Sequence, residues 1–84
     1  RLVETRQQVY ETVCRILAKQ LEIEPEDIHE DTRVVDDLGA DSLDIVELTM
    51  TLEERYNIII TNDQAAQLPT IGKIVDFIVG SFSK

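Results

Sequence analysis

Ser42 is the residue of this chain best placed to take part in chemistry. It stands in Asp36-Asp37-Leu38-Gly39-Ala40-Asp41-Ser42-Leu43-Asp44-Ile45-Val46-Glu47, a hydroxyl among five carboxylates. A tight apolar turn, Leu38-Gly39-Ala40, precedes it, and an amphipathic pattern follows. Asp41 and Ser42 are both residue types that cap helix N-termini, so the hydroxyl sits at a loop-to-helix junction. First-turn amides and the helix dipole can hold an anion attached beside them. No base lies nearby in sequence to activate the oxygen. The arrangement presents a serine and does not make it a nucleophile.

Other chemistries fail on residue type or spacing. An EF-hand loop counted from Asp36 places Glu47 correctly at its last position. Leu38 and Ala40, however, fall where side-chain oxygens are needed, and Asp41 falls where glycine is required. Only loose divalent association with the carboxylates is left, and no metal site is assigned. The flanks of Ser42 do not form G-x-S-x-G, and His29, the single histidine, lies between Asp27 and Glu30-Asp31 in a polar stretch. It reads as a solvated loop residue. One cysteine and one histidine are too few for a zinc site.

The elements that must position Ser42 follow from periodicity. A first helix is expected from about Val3 to Gln20, with Val9, Val13, Ile16, Leu17 and Leu21 as its apolar stripe. Tyr10 and Cys14 fall at the stripe's edge, which makes Cys14 a small, partly buried packing residue. Glu11, Arg15 and Lys19 fall opposite. From Glu22 to Asp41 the periodicity fails. Pro25 can start a single helical turn through Ile28, and Ile23, Ile28, Val34 and Leu38 read as anchors for a long loop. Loops of this length are usually functional.

A second helix is expected from Ser42 to about Tyr56. Steps of ~100° per residue put Ile45, Leu48, Leu52 and Tyr56 on a core stripe. Leu43, Val46 and Met50 fall on another side, bordered by Glu47, Glu53 and Glu54. Two readings of that side stay open: it widens the core of a small bundle, or it docks a partner. Asn57–Ile60 has no second strand to pair with and reads as an extended connector. Thr61 and Gln64 form a capping box for a short third helix to about Leu68. Pro69 ends it, Thr70 caps the next, and Ile71, Ile74, Val75, Ile78 and Phe82 stripe the last. Ser81 and Ser83 lie in the carboxyl-terminal tail, where chains fray. The expected fold is all-α: a small four-helix bundle with three long helices, one short helix and a long loop between the first two.

The 84 residues bound the protein to a single domain, 1–84. A chain of this size buries a little over ~60% of its unfolded surface, enough for one thin core and no deep catalytic cleft. The formal net charge is −9 and unevenly placed: Glu22 to Glu54 holds thirteen acids and one base, Arg33. Such a field disfavours nucleic acid and anionic membranes and favours basic partners, although acidic surfaces also serve solubility alone. No apolar run is long enough for stable membrane insertion, and no signal-peptide pattern is present. One cysteine allows no internal disulfide, which fits a reducing compartment. The chain opens at Arg1 instead of methionine; processing, trimming or excision from a longer chain would each produce this.

The block Asp36–Asp44 with Val46-Glu47-Leu48, together with Leu52-Glu53-Glu54 and Pro69-Thr70-Ile71, resembles acyl carrier proteins over about Val9 to Ile78. The resemblance implies a freestanding carrier of fatty acid synthesis and no enzyme activity. It implies a phosphopantetheine arm transferred from coenzyme A to Ser42, with Asp41 and Leu43 beside it, and an acyl thioester on the terminal thiol. It makes the second helix the recognition element, with Asp44, Val46, Glu47, Met50, Glu53 and Glu54 toward partners. Those partners would be a phosphopantetheinyl transferase and basic-surfaced acyl-processing enzymes, met by a monomer in a bacterial cytoplasm or, after processing, an organelle matrix or stroma. Val34, Val46, Leu48, Leu52, Leu68 and Ile74 are expected around an acyl chain. Two features depart from the family pattern: the acidic run past the second helix is replaced by Arg55, Asn57, Ile58 and Ile59 with the neutral Asn62, Gln64 and Gln67, and Ile74 stands in place of a small residue. The alternatives are a carrier domain for polyketide, aminoacyl or specialised lipid synthesis, and an unmodified acidic adaptor docking through its second helix.

Overall fold

A computed structural model describes residues 4–82. Helix α1 spans Arg6–Leu21. Its start is set by a capping box: the Thr5 hydroxyl accepts from the Gln8 amide at 3.1 Å, and the Gln8 side chain accepts from the Thr5 amide at 2.8 Å. The helix therefore begins later than the expected Val3, which lies outside the described residues. Glu22 ends it in the left-handed region at φ 58°. Val9, Val13 and Leu17 are fully buried as expected, and Thr12, Cys14 and Ala18 are also buried, while Ile16 and Leu21 are only half-buried. The reason is that α1 packs against two helices at once, so its buried sector is wider than one stripe.

A 3₁₀ turn at Pro25–Asp27 opens the long loop. Helix α2 spans Ser42–Tyr56 and ends at Asn57, also left-handed at φ 56°. The connector 57–60 is extended and alternates: Ile58 is half-buried, Ile59 exposed and Ile60 buried. Helix α3 is Asn62–Ala66, two residues shorter than expected, because Gln67 leaves helical geometry before Pro69. The Thr61–Gln64 capping box is present. Helix α4 is Ile71–Ser81 with Thr70 as N-cap; Phe82 only caps its end. Ser81 is thus part of α4, and Ser83 lies outside the described residues.

Val9, Val13, Leu17, Leu52, Ile71, Val75 and Ile78 form the centre of a core shared by α1, α2 and α4. The loop is tied to the start of α4 by backbone pairs. The Val34 amide donates to the Pro69 carbonyl at 3.0 Å, the Ile71 amide to Thr32 at 3.1 Å, and the Gly72 amide to Glu30 at 2.8 Å. The approach at Gly72 is close: a Cβ there would stand 2.7 Å from the Glu30 carboxylate and 3.2 Å from its carbonyl. Arg6 clamps the same corner, donating to Glu30 at 2.7 and 3.0 Å and to Asp76 at 2.9 Å. This pairing holds the Glu30 carboxyl below its ordinary range. His29 is exposed, as a solvated loop residue should be.

Candidate functional site

The local backbone delivers Ser42 to solvent. Residues 33–40 wind through a series of turns in which Arg33 accepts from the amides of Asp37 and Leu38, and Val34 from that of Ala40. Gly39 takes φ +73°, a conformation that costs a side-chain-bearing residue about 1–2 kcal/mol. Ala40 is buried and pins the turn to the core. Asp41 is the N-cap of α2: its Oδ1 accepts from the Asp44 amide at 2.9 Å, and Asp44 Oδ2 accepts from the Asp41 amide at 3.0 Å.

The capping question left open by residue type is thereby settled, with Ser42 the first helical residue and exposed. The reciprocal box satisfies two donors and leaves the Ser42 and Leu43 amides facing outward at the positive end of the dipole. A third tie comes from α1, where Gln20 Nε2 donates to the Asp44 carbonyl at 2.7 Å. Nothing in the sequence flagged Gln20, because its partner is 24 residues away. The Asp41–Asp44 box had a readable signal, a capping residue followed three positions later by an acceptor.

The outward side of α2 is apolar. Leu43 is 78% exposed, Val46 50% and Met50 62%, against 2% and 1% for Leu48 and Leu52. Leu43, Val46 and Met50 therefore do not widen the core. Glu47 and Glu54 are exposed at the border of this strip. Asp44 and Glu53 are half-buried and held by backbone donors. Asp44 belongs to the capping box, and Glu53 Oε2 accepts from the Ile60 amide at 2.8 Å, fastening the connector to α2.

Beside Ser42 an open groove of about 400 Å³ runs between α2 and α3, with Val34, Val35, Ile45, Val46, Ala65 and Leu68 among its walls. Behind it lies an inner cavity of about 30 Å³ bounded by Val34, Ile45, Leu48, Leu52, Ala65, Leu68 and Ile74, among others. Five of the six residues expected around an acyl chain meet there. Val46 does not; its rotation about α2 places it on the groove. Ile45 and Ala65, which sequence reasoning did not name for this role, line both spaces. The two spaces share Val34, Ile45, Ala65 and Leu68 as a partition.

Other reactive groups lie apart. Burial pushes the Cys14 thiol up, and burial together with the neighbouring Cys14 pushes the Tyr10 phenol up to about 12. The Tyr10 hydroxyl donates to the Ile28 carbonyl at 3.1 Å. These are packing features. Among the described residues no group of side chains is arranged to hold a metal ion, and no helix is long and apolar enough to cross a membrane.

Comparison with known proteins agrees with this geometry. Residues 11–78 match the family model for the phosphopantetheine attachment site. The chain is 41% identical over 70 residues to the acyl carrier protein of Wolinella succinogenes, covering 83% of this chain and 92% of that protein. It is 44% identical over 70 residues to that of a Sulfurovum species, with 83% and 93% coverage. The fold matches a solved acyl carrier protein from Enterococcus faecalis at a TM-score of 0.80 and 31% identity, over 92% of this chain and 98% of that one. With its exposed serine on a capped helix start, an apolar groove alongside, and these relatives, the chain belongs to the acyl carrier family that bears phosphopantetheine.

Proposed function

We propose that this protein carries acyl groups on an arm attached at Ser42 and delivers them to the enzymes of fatty acid synthesis in a bacterial cytoplasm or organelle matrix. The observation that carries the reading is the position of Ser42: exposed, first in α2, and opening onto the groove that leads to the inner cavity. The residues suit the group. A free hydroxyl is the attachment atom, the open Ser42 and Leu43 amides accommodate the charge of a phosphodiester, and the groove offers an apolar bed. The arm supplies a terminal thiol that holds an acyl group as a thioester.

The chain's own work is to present and to shelter. Asp41 and Asp44 hold the first turn of α2 in one geometry, so the attached group leaves from a fixed point. The inner cavity, about 30 Å³, is far smaller than the ~300–1,000 Å³ of ordinary ligand pockets, so sheltering an acyl chain requires its walls to part. The partition residues Ala65 and Leu68 lie on and just after α3, a helix with no fully buried residue. It is the cheapest wall to displace. Leu43, Val46 and Met50, with Glu47 and Glu54 at their border, form a surface for basic partners, the modifying transferase among them. Catalysis is left to those partners, since no base stands at Ser42.

Intact mass before and after incubation with coenzyme A and a phosphopantetheinyl transferase tests the assignment. Wild type should gain one arm and Ser42→Ala none. Modification persisting in the variant sinks the assignment of Ser42. Acyl groups other than fatty acyl on protein from its native source would move the role to another pathway.

A further inference from the structure

Arg33 is the one base between Glu22 and Glu54, and it lines the same groove as Ser42. Its main chain is fixed: the Arg33 amide donates to Asp37 Oδ2 at 2.8 Å, and the residue bridges to Thr70. Its guanidinium is not. The approaches to Asp36 at 3.5 Å and Asp37 at 3.9 Å are both long, and the side chain is 56% exposed. Charge-assisted hydrogen bonds close to ~2.7–2.9 Å, as those of Arg6 do on Glu30 and Asp76. Arg55 stands away from the groove, near Glu4 and over the face of Tyr56.

We infer that the Arg33 guanidinium pairs with the phosphodiester on Ser42 once the arm is attached, giving up Asp36 to do so. The inference rests on attachment at Ser42. Three observations lead to it. Attachment adds a negative charge to a region already holding Asp36, Asp37, Asp41, Asp44 and Glu47. The cation that can offset it stands on the same groove, held only by its long approaches to Asp36 and Asp37. Exposed pairs as long as those with Asp36 and Asp37 contribute little, whereas arginine meets phosphate oxygens in a bidentate fork. Arg33 is thus a positioning residue, holding the root of the arm against the groove.

The test uses apo and holo protein, the latter confirmed by mass. In ¹⁵N-edited spectra one arginine Nε–Hε signal, assigned by its loss in Arg33→Gln, should shift between apo and holo. The ³¹P signal of the holo protein should move in Arg33→Gln, move less in Arg33→Lys, and stay in place in Arg55→Gln. Because the backbone ties of residue 33 do not use its side chain, the variants keep the fold, which far-UV circular dichroism checks. An adduct with an unmoved Arg33 signal overturns the pairing alone. Failure of wild type to accept the arm at Ser42 overturns the attachment reading and the pairing together.

Discussion

Ile74 is the residue whose size should decide how much chain the interior accepts. It is 5% exposed and stands at the inner cavity with Leu48, Leu52 and Leu68. That cavity holds about 30 Å³, far below the ~300–1,000 Å³ of ordinary ligand pockets, so a lengthening acyl chain must displace wall atoms. Close packing resists such displacement. Against it, each methylene taken out of water returns about 0.8 kcal/mol. Ile74→Val removes one carbon and should cost about 0.5–1.5 kcal/mol in the unacylated holo protein. For a domain of this size that lowers Tm by roughly 2–12 °C at ~4–8 °C per kcal/mol. The vacated volume then admits about one more methylene, recovering ~0.8 kcal/mol, most of the loss. Ile74→Ala opens more room at a cost of about 2–5 kcal/mol. The assay is thermal melting of wild type and Ile74→Val across a series of acyl lengths on the same arm. The gap between the proteins should be widest without an acyl group and narrow as the chain lengthens. Parallel curves for the two proteins would refute the placement of Ile74 on the acyl path.

Charge reversal at Glu47, an exposed border residue of α2, should slow association with an acyl-processing enzyme several-fold at ~0.01 M salt and much less at ~0.15 M; a stopped-flow association rate insensitive to both would count against this face. Glu53→Ala should act differently and cost about 1–2 kcal/mol in urea unfolding, because it frees the Ile60 amide. Gly39→Ala should destabilise by about 1 kcal/mol through its left-handed backbone alone, since no atom lies within 4 Å of the added carbon; unchanged stability would mean that the turn relaxes. Arg6 lowers the Glu30 carboxyl from its ordinary value of 4.5. The pair's contribution is therefore full above that pH and lost as pH falls through the lowered value. Wild type should lose more stability than Glu30→Gln over that acid window, and equal slopes would show the clamp to be inert.

The helices were legible because apolar spacing and caps agreed. The Pro69-Thr70 break, the Thr61–Gln64 box and the two faces of α2 all appear where local rules put them. Errors arose where a cap was overlooked or a neighbour counted twice. The Thr5–Gln8 box starts α1 at Arg6, and contact with both α2 and α4 draws Cys14 and Thr12 inside. The place of Ser42 at an exposed helix start was readable from its own neighbours. The groove was only partly so: Val46 faces it instead of the cavity, and Ile45 and Ala65 join it, because those assignments depend on how α3 lies against α2.

The contacts that no local pattern announces are the long-range ties: Gln20 to Asp44, Arg6 to Glu30 and Asp76, and Gly72 to Glu30. Their distribution is unequal, and the inequality has a consequence. They fix the loop, α1, α4 and the first turn of α2 to one another, through the side chains of Gln20 and Arg6 and through the Gly72–Glu30 backbone pair. Among the described residues helix α3 has no such tie; it touches the core through half-buried Ala65 and nearby Leu68. On the proposed attachment at Ser42, the arm would leave from a part held by long-range ties and lie against a helix that lacks them. Local opening follows the weakest contacts, so the path expected to open with least loss of packing runs from the groove, past Leu68, toward Ile74.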